Sequence, residues 1–217
     1  MRNSVWEFPV IETAHIFGII SLVGSTSILD LRLLGLAFKD DSVSKLAARI
    51  ASGNYSKLLP YITAQMLGGF VGAVLVWLLF LPHWAETPDT WHKLSCFCSH
   101  PAIPSIKTNL LGEIIPTFTL AFVAVCIFSR VASSGALAGA LAPFLIGGLV
   151  WGVILSMAGP TGTSMNPARD LSSRIAHAIL PIAGKGSSDW GYAPISVFGT
   201  LAGGALAGLL IHFLHLI

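Results

Sequence analysis

The sequence predicts an all-α integral membrane bundle of about five spanning helices plus one short re-entrant half-helix, and three observations carry that prediction. Hydrophobic residues make up 54% of the 217 and charged residues only 10%, whereas an ordinary soluble domain is about 25% charged; mean hydropathy is +0.78. The apolar residues gather into five runs, each near the roughly 20 residues that a helix needs to cross a hydrocarbon core of about 30 Å. Between the last two runs lies "GPTGTSMNPARD", residues 159–170, a loop of Gly, Pro, Thr and Asn that ends in charge. The net charge of +2 is small and scattered, so no nucleic-acid partner is expected.

The first run centres near Ile20 and carries Glu12 and His15. Arg2 precedes it, no small-residue cleavage site is evident, and the run ends in "DLRLL", so it reads as mature protein. Arg32, Lys39, Lys45, Arg49 and Lys57 follow before the second run, which centres near Phe70; residues 83–107 hold only Lys93 and Lys107. The positive-inside rule therefore places the first loop in the cytoplasm and the 84–104 loop, with its Trp, His and Pro residues, outside with interfacial aromatics. The remaining runs centre near Phe118, Gly148 and Leu206, and alternation brings residues 159–170 in from the outer face. Glycines in "LGGFVGA", "GALAGALAP" and "LAGGALAG" follow the spacing that lets membrane helices approach closely. Cys96, Cys98 and Cys126 are an odd set without zinc-site spacing and read as incidental thiols. Two regions are expected: residues 1–50, an atypical membrane helix with a cytoplasmic linker, and residues 51–217, the channel region.

In the 159–170 loop, Asn166 suits the N-cap, Pro167 suits the first helical position, and "ARDLSSRIAHAIL" continues with helical periodicity to about Leu180. Such a helix is too short to span. A half-length helix after a Gly- and Pro-rich segment is tolerated at membrane depth only where it lines a watery path or is buried in protein. Residues 159–163, Gly162 and Thr163 among them, would offer a row of backbone carbonyls. The free amides at the Asn166 end carry about half a positive charge, which repels cations and protons. Arg169, one turn in, strengthens that barrier and can donate to a hydroxyl. The arrangement suits a neutral, hydrogen-bonding solute.

"SMNPARD", with "GGLVWG", "RIAHAILPIAGKGSSDWGYAPI" and "LLPYITAQMLGGFVGA", resembles the aquaporin superfamily, and specifically its bacterial glycerol-facilitator branch, over about residues 51–214. That resemblance implies an aquaporin-like bundle in the plasma (bacterial inner) membrane, assembled as a homotetramer, that passes glycerol, water and similar small neutral solutes without cofactor or metal. It also implies that Asn166, Pro167 and Ala168 form the motif at the pore centre, that Arg169 is the cationic member of the outer constriction, and that Asp170 marks the glycerol branch. Glu113, in "LGEIIPT", would accept hydrogen bonds from the re-entrant backbone. Thr163 stands where glycerol channels usually carry an aromatic residue, and Ile154 where they carry a small one. Ser172, Ser173, Ser196 and Thr200 fall where the branch tends to have Gly or Pro.

The sequence holds a single Asn-Pro-Ala, whereas the family pairs two such half-helices. "DLRLLGLA" is similar instead to a small uncharacterised bacterial membrane family. Two other readings follow. One is a non-conducting scaffold that keeps the aquaporin fold. The other is a haem-binding redox subunit using His15, His177, His212 and His215 as axial ligands. No nucleophile with a nearby base, phosphate-cradling loop or metal-ligand spacing appears, so an enzyme is not expected.

Overall fold

The computed structural model describes residues 58–131 and 136–215. The run near Ile20, with Glu12, His15 and the basic residues 32–57, lies outside them. The described residues form α1 (Leu58–Leu79), α2 (His83–Glu86), α3 (Thr90–Ser95), α4 (Ile106–Val131), α5 (Ala136–Met157), α6 (Pro167–Ile179) and α7 (Ala193–Phe213), with no strand among them. The four downstream centres fall inside α1, α4, α5 and α7, which have 21 to 26 residues. Among the described residues, α1, α4 and α7 hold stretches long and apolar enough to cross a bilayer, Ile62–Leu79, Ile106–Ile127 and Ala193–Phe213, while α5 holds the shorter apolar stretch Phe144–Met157. Between α5 and α7 sits α6, of 13 residues, which cannot cross one. The chain is a multi-pass membrane protein, and among the described residues one half-length helix is folded among the longer ones.

Close packing depends on glycines at two contacts. A Cβ on Gly69 would lie 2.1 Å from the Ser172 Oγ, so α6 can press on α1 only because that atom is missing. Cβ atoms on Gly199 and Gly203 would lie 2.5 Å from the Glu113 Cβ and from the Ile114 carbonyl oxygen, which ties α7 to α4. The glycine signal is nevertheless divided: Gly147, Gly148 and Gly152 of α5, and Gly204 and Gly208 of α7, meet nothing within 4 Å among the described residues. Leu75, Leu78, Trp151, Leu155, Phe198 and Leu209 are exposed on the outer faces, as side chains in contact with lipid should be.

The loop after α1 departs from the expected fringe of interfacial aromatics. Trp84 and Phe97 are buried with Ala73, Leu94, Ala176 and Leu180, and the Trp84 indole donates to the Trp77 carbonyl at 2.9 Å. Lys93 is buried too, its ammonium donating to the carbonyls of Ala183 and Gly184. Residues 83–102 thus cap α6, and only part of the loop faces outward: Trp91 is exposed.

Candidate functional site

The site begins at the N-terminus of α6. Asn166 has extended backbone, and its side-chain oxygen accepts the Ala168 amide at 2.9 Å. This is the N-cap geometry that Asn followed by Pro favours. Because that oxygen is committed, the Asn166 Nδ2 is the donor on the other side of the group, and it donates to the Gln65 Oε1 of α1 at 2.8 Å.

The segment entering the cap is held in an unusual shape. Gly162, Thr163 and Met165 have φ of +80°, +46° and +54°, a region that costs a side-chain-bearing residue energy unless its surroundings impose it. Those surroundings are specific. The Gly162 amide closes a turn on the Ala158 carbonyl at 2.7 Å, while the amides of His100 and Ala102 donate to the carbonyls of Thr161 and Pro160 at 3.0 and 2.9 Å. The Ser164 amide donates to Glu113 Oε2 at 2.7 Å and its hydroxyl to Ser99 Oγ at 3.0 Å. Glu113, fully buried on α4, also accepts from the Tyr192 hydroxyl at 3.0 Å. One carboxylate thus joins α4, the loop and the start of α7.

The row of available carbonyls is consequently displaced from residues 159–163. Pro160 and Thr161 are used by the outer loop. The carbonyls of Gly162, Thr163, Ser164 and Met165 accept no hydrogen bond among the described residues. The Asn166 carbonyl accepts the Asp170 amide at 3.2 Å and belongs to the helix.

Arg169 is 4% exposed, and its Nη1 has no hydrogen-bond partner among the described residues. The Thr163 hydroxyl is buried and unpartnered in the same way. A buried donor left unmade costs about 1–3 kcal/mol; the Trp77 Nε1 and His177 Nε2 are likewise buried without a partner among the described residues. Ala168 and Ile154 are buried, and Pro167 is half-buried; Ile154 lies in the last turn of α5, its carbonyl accepting the Ala158 amide at 3.1 Å.

Asp170, grouped with the selectivity residues by its place in the motif, is engaged elsewhere. It is fully buried, and its Oδ1 accepts the Ser99 amide at 2.7 Å. Its Oδ2 accepts from Arg174 Nε at 3.1 Å, Arg174 Nη2 at 2.9 Å and Ser196 Oγ at 2.8 Å. Arg174 continues to the carbonyls of Ser188, Asp189 and Ser99 at 2.8, 2.7 and 2.6 Å. The hydroxyl that departs from the branch pattern at Ser196 is thus absorbed by Asp170, and that of Ser173 by the Arg169 carbonyl at 2.7 Å.

Further along α6, the His177 Nδ1 pairs with Ser188 Oγ at 2.9 Å and its ring lies edge-on to Phe97. Burial, with Lys185 and Arg174 nearby, pushes this imidazole down to about 4. Lys185 donates to the carbonyls of His177, Ala178 and Leu180 at 2.7 to 2.9 Å, where a cation complements the helix C-terminus. Among the described residues no group of three or more His, Cys, Asp or Glu could hold a metal. His212 and His215 lie together at the end of α7, their rings 6.5 Å apart. Burial pushes the Cys96 and Cys98 thiols up to about 12. Sequence reasoning missed Gln65, Ser99, Arg174, Lys185 and Tyr192. A polar amide inside an apolar run was the available signal for Gln65.

Residues 46–211 match the family model described as major intrinsic protein. The chain is 48% identical over 160 residues to the probable glycerol uptake facilitator protein of Thermotoga maritima, covering 74% of this chain and 66% of that protein. It is 44% identical over 149 residues to the glycerol uptake facilitator protein of Bacillus subtilis, covering 69% and 53%. It therefore spans between about half and two thirds of these curated relatives. The X-ray structure of the aquaglyceroporin from Plasmodium falciparum superposes with a TM-score of 0.57 at 19% identity, over 84% of this chain and 69% of that one, a likeness of fold.

Proposed function

The chain belongs to the major intrinsic protein family, and from that premise we propose that it is a passive channel of the aquaglyceroporin type, conducting glycerol, water and similar small neutral polyols across the plasma membrane. The observation that carries this reading is the buried, unpartnered Arg169 Nη1 in the first turn of α6, beside backbone carbonyls free to accept. A polyol stripped of water needs both. Its hydroxyls donate to the carbonyls of Gly162, Thr163, Ser164 and Met165 and accept from Arg169 and Asn166. A monovalent cation meets the guanidinium and the positive end of α6, and the two buried carboxylates among the described residues, Glu113 and Asp170, are committed to the scaffold rather than free to compensate it. No bond is made or broken, so the protein acts as a conduit rather than an enzyme. Thr163 and Ile154 help set the width of the path, with Gly162, Pro167 and Ala168 shaping its backbone. The open glycine faces of α5 and α7 suit packing into a homotetramer.

Purified protein in liposomes, mixed by stopped flow into a glycerol gradient, tests the reading. Reswelling at least about tenfold faster than in empty vesicles, a barrier reduction of about 1.4 kcal/mol, is the expected result. A rate equal to that of empty vesicles, with insertion confirmed, would overturn it in favour of the non-conducting scaffold that the single Asn-Pro-Ala favours.

A further inference from the structure

A glutamine in the middle of an apolar helix needs a reason, since burying its amide without hydrogen bonds is costly. Gln65 is the only glutamine in the sequence, sits two turns into α1, and is half-buried. Its one hydrogen bond among the described residues is the 2.8 Å contact with Asn166. The orientation of that contact follows from chemistry rather than from a choice of amide flip. The Asn166 oxygen caps the Ala168 amide, so Asn166 must present its NH2 to Gln65, and Gln65 must answer with its carbonyl. The Gln65 NH2 group is then turned away from Asn166 and has no protein acceptor among the described residues.

An amide carries two N–H donors. One Asn166 N–H is used by Gln65 and the other is not, while both N–H groups of Gln65 remain. Two elements far apart in sequence therefore bring unspent amide donors to one point, at the end of α6 where the free carbonyl row stops. We infer that Gln65 is the second amide of the constriction, fixing the rotamer of Asn166 through its carbonyl and offering its own N–H groups to the hydroxyl oxygens of the passing solute. This rests on the channel reading and gives its central point a second contributor in a chain with one Asn-Pro-Ala motif. A polyol, with several hydroxyls to satisfy at once, depends on such donors more than a lone water molecule does.

The experiment uses that single glutamine. Full-length protein labelled with ¹⁵N in the glutamine side chain, in lipid bilayers, gives one side-chain NH2 signal by solid-state NMR. Glycerol should shift that signal, and sucrose at equal osmolality, too large to enter, should not. In parallel, Gln65→Met should lower glycerol permeability about fivefold at equal inserted protein, the loss of about one hydrogen bond, while water permeability falls clearly less. An NH2 signal indifferent to glycerol in conducting vesicles would overturn the inference, as would an equal fall of both permeabilities, which marks a purely structural residue. If wild-type vesicles fail to conduct but the signal still moves with glycerol, the channel reading fails and the Gln65 contact stands. If neither responds, both fall.

Discussion

The two ends of α6 are built on opposite rules. From Asp170 in the first turn toward the C-terminus, Asp170, Arg174 and Lys185 form a polar cluster with many partners, Arg174 alone reaching one carboxylate and three carbonyls, although the buried His177 Nε2 beside them has no partner among the described residues. At the N-terminal end, one turn away, the Arg169 guanidinium makes no hydrogen bond among the described residues, and the Thr163 hydroxyl is buried without one. Both ends hold a buried arginine, so burial alone does not separate a structural cation from a working one. What separates them is saturation. Most buried polar groups in a fold are hydrogen-bonded, and Arg169 Nη1 is one of the few among the described residues that are not, with Thr163 Oγ1, Trp77 Nε1 and His177 Nε2.

The largest effect expected from this contrast is at Arg174. Arg174→Met would leave the fully buried Asp170 carboxylate without its cation and the carbonyls of Ser99, Ser188 and Asp189 without donors. Removing one partner of a buried pair costs about 3–5 kcal/mol, enough to prevent accumulation of folded protein. Thermal unfolding in detergent, followed by circular dichroism, should show it. Replacing both partners, Arg174→Met with Asp170→Leu, should recover part of the loss. If the single variant melts like wild type, the saturated end is not what holds the half-helix, and the comparison collapses.

A smaller effect is expected from acid. The His177 imidazole is held down to about 4, below about 6.5 in an unfolded chain, so the folded state binds the proton less well. Its contribution to stability is complete above pH about 6.5 and declines as pH falls toward about 4, by at most roughly 3 kcal/mol in total. His177→Asn should flatten this part of the profile, seen as a smaller drop in melting temperature between about pH 7 and pH 5 than in wild type. Superimposable profiles for the two proteins would show that His177 does not sense protons in the fold.

The open end was more legible in the sequence than the saturated one. Asn166 and Pro167 announce a helix start locally, and thirteen residues of helix follow as periodicity requires. Spanning helices are legible for the same reason, since hydropathy is a property of each run. The ties at Asp170 are not local: Arg174 four residues on could be foreseen, but the Ser99 amide, 71 positions away, leaves no mark in any window. Glycine spacing likewise reveals a small face without its neighbour, which is why Gly203 meets the Ile114 carbonyl while adjacent Gly204 meets nothing among the described residues. Trp84 looked like an interfacial anchor because composition cannot distinguish a headgroup from a protein interior, and it is 4% exposed.

The smallest effect on stability, and the most informative, is expected at Arg169. Arg169→Met removes a buried cation whose Nη1 has no partner, and so removes a desolvation cost without breaking a hydrogen bond that the described residues make. Stability should stay within about 1 kcal/mol of wild type, or rise, where the same substitution at Arg174 costs several. Function should respond in the opposite sense. With the fixed charge gone, only the partial charge at the start of α6 remains to oppose cations, so proton or sodium leak in proteoliposomes should rise while glycerol still crosses. A dye-reported leak assay on the vesicles used for stopped flow measures both. An Arg169→Met protein that unfolds as readily as Arg174→Met would mean that this guanidinium is structural after all, and an unchanged leak would mean that α6 excludes ions without it.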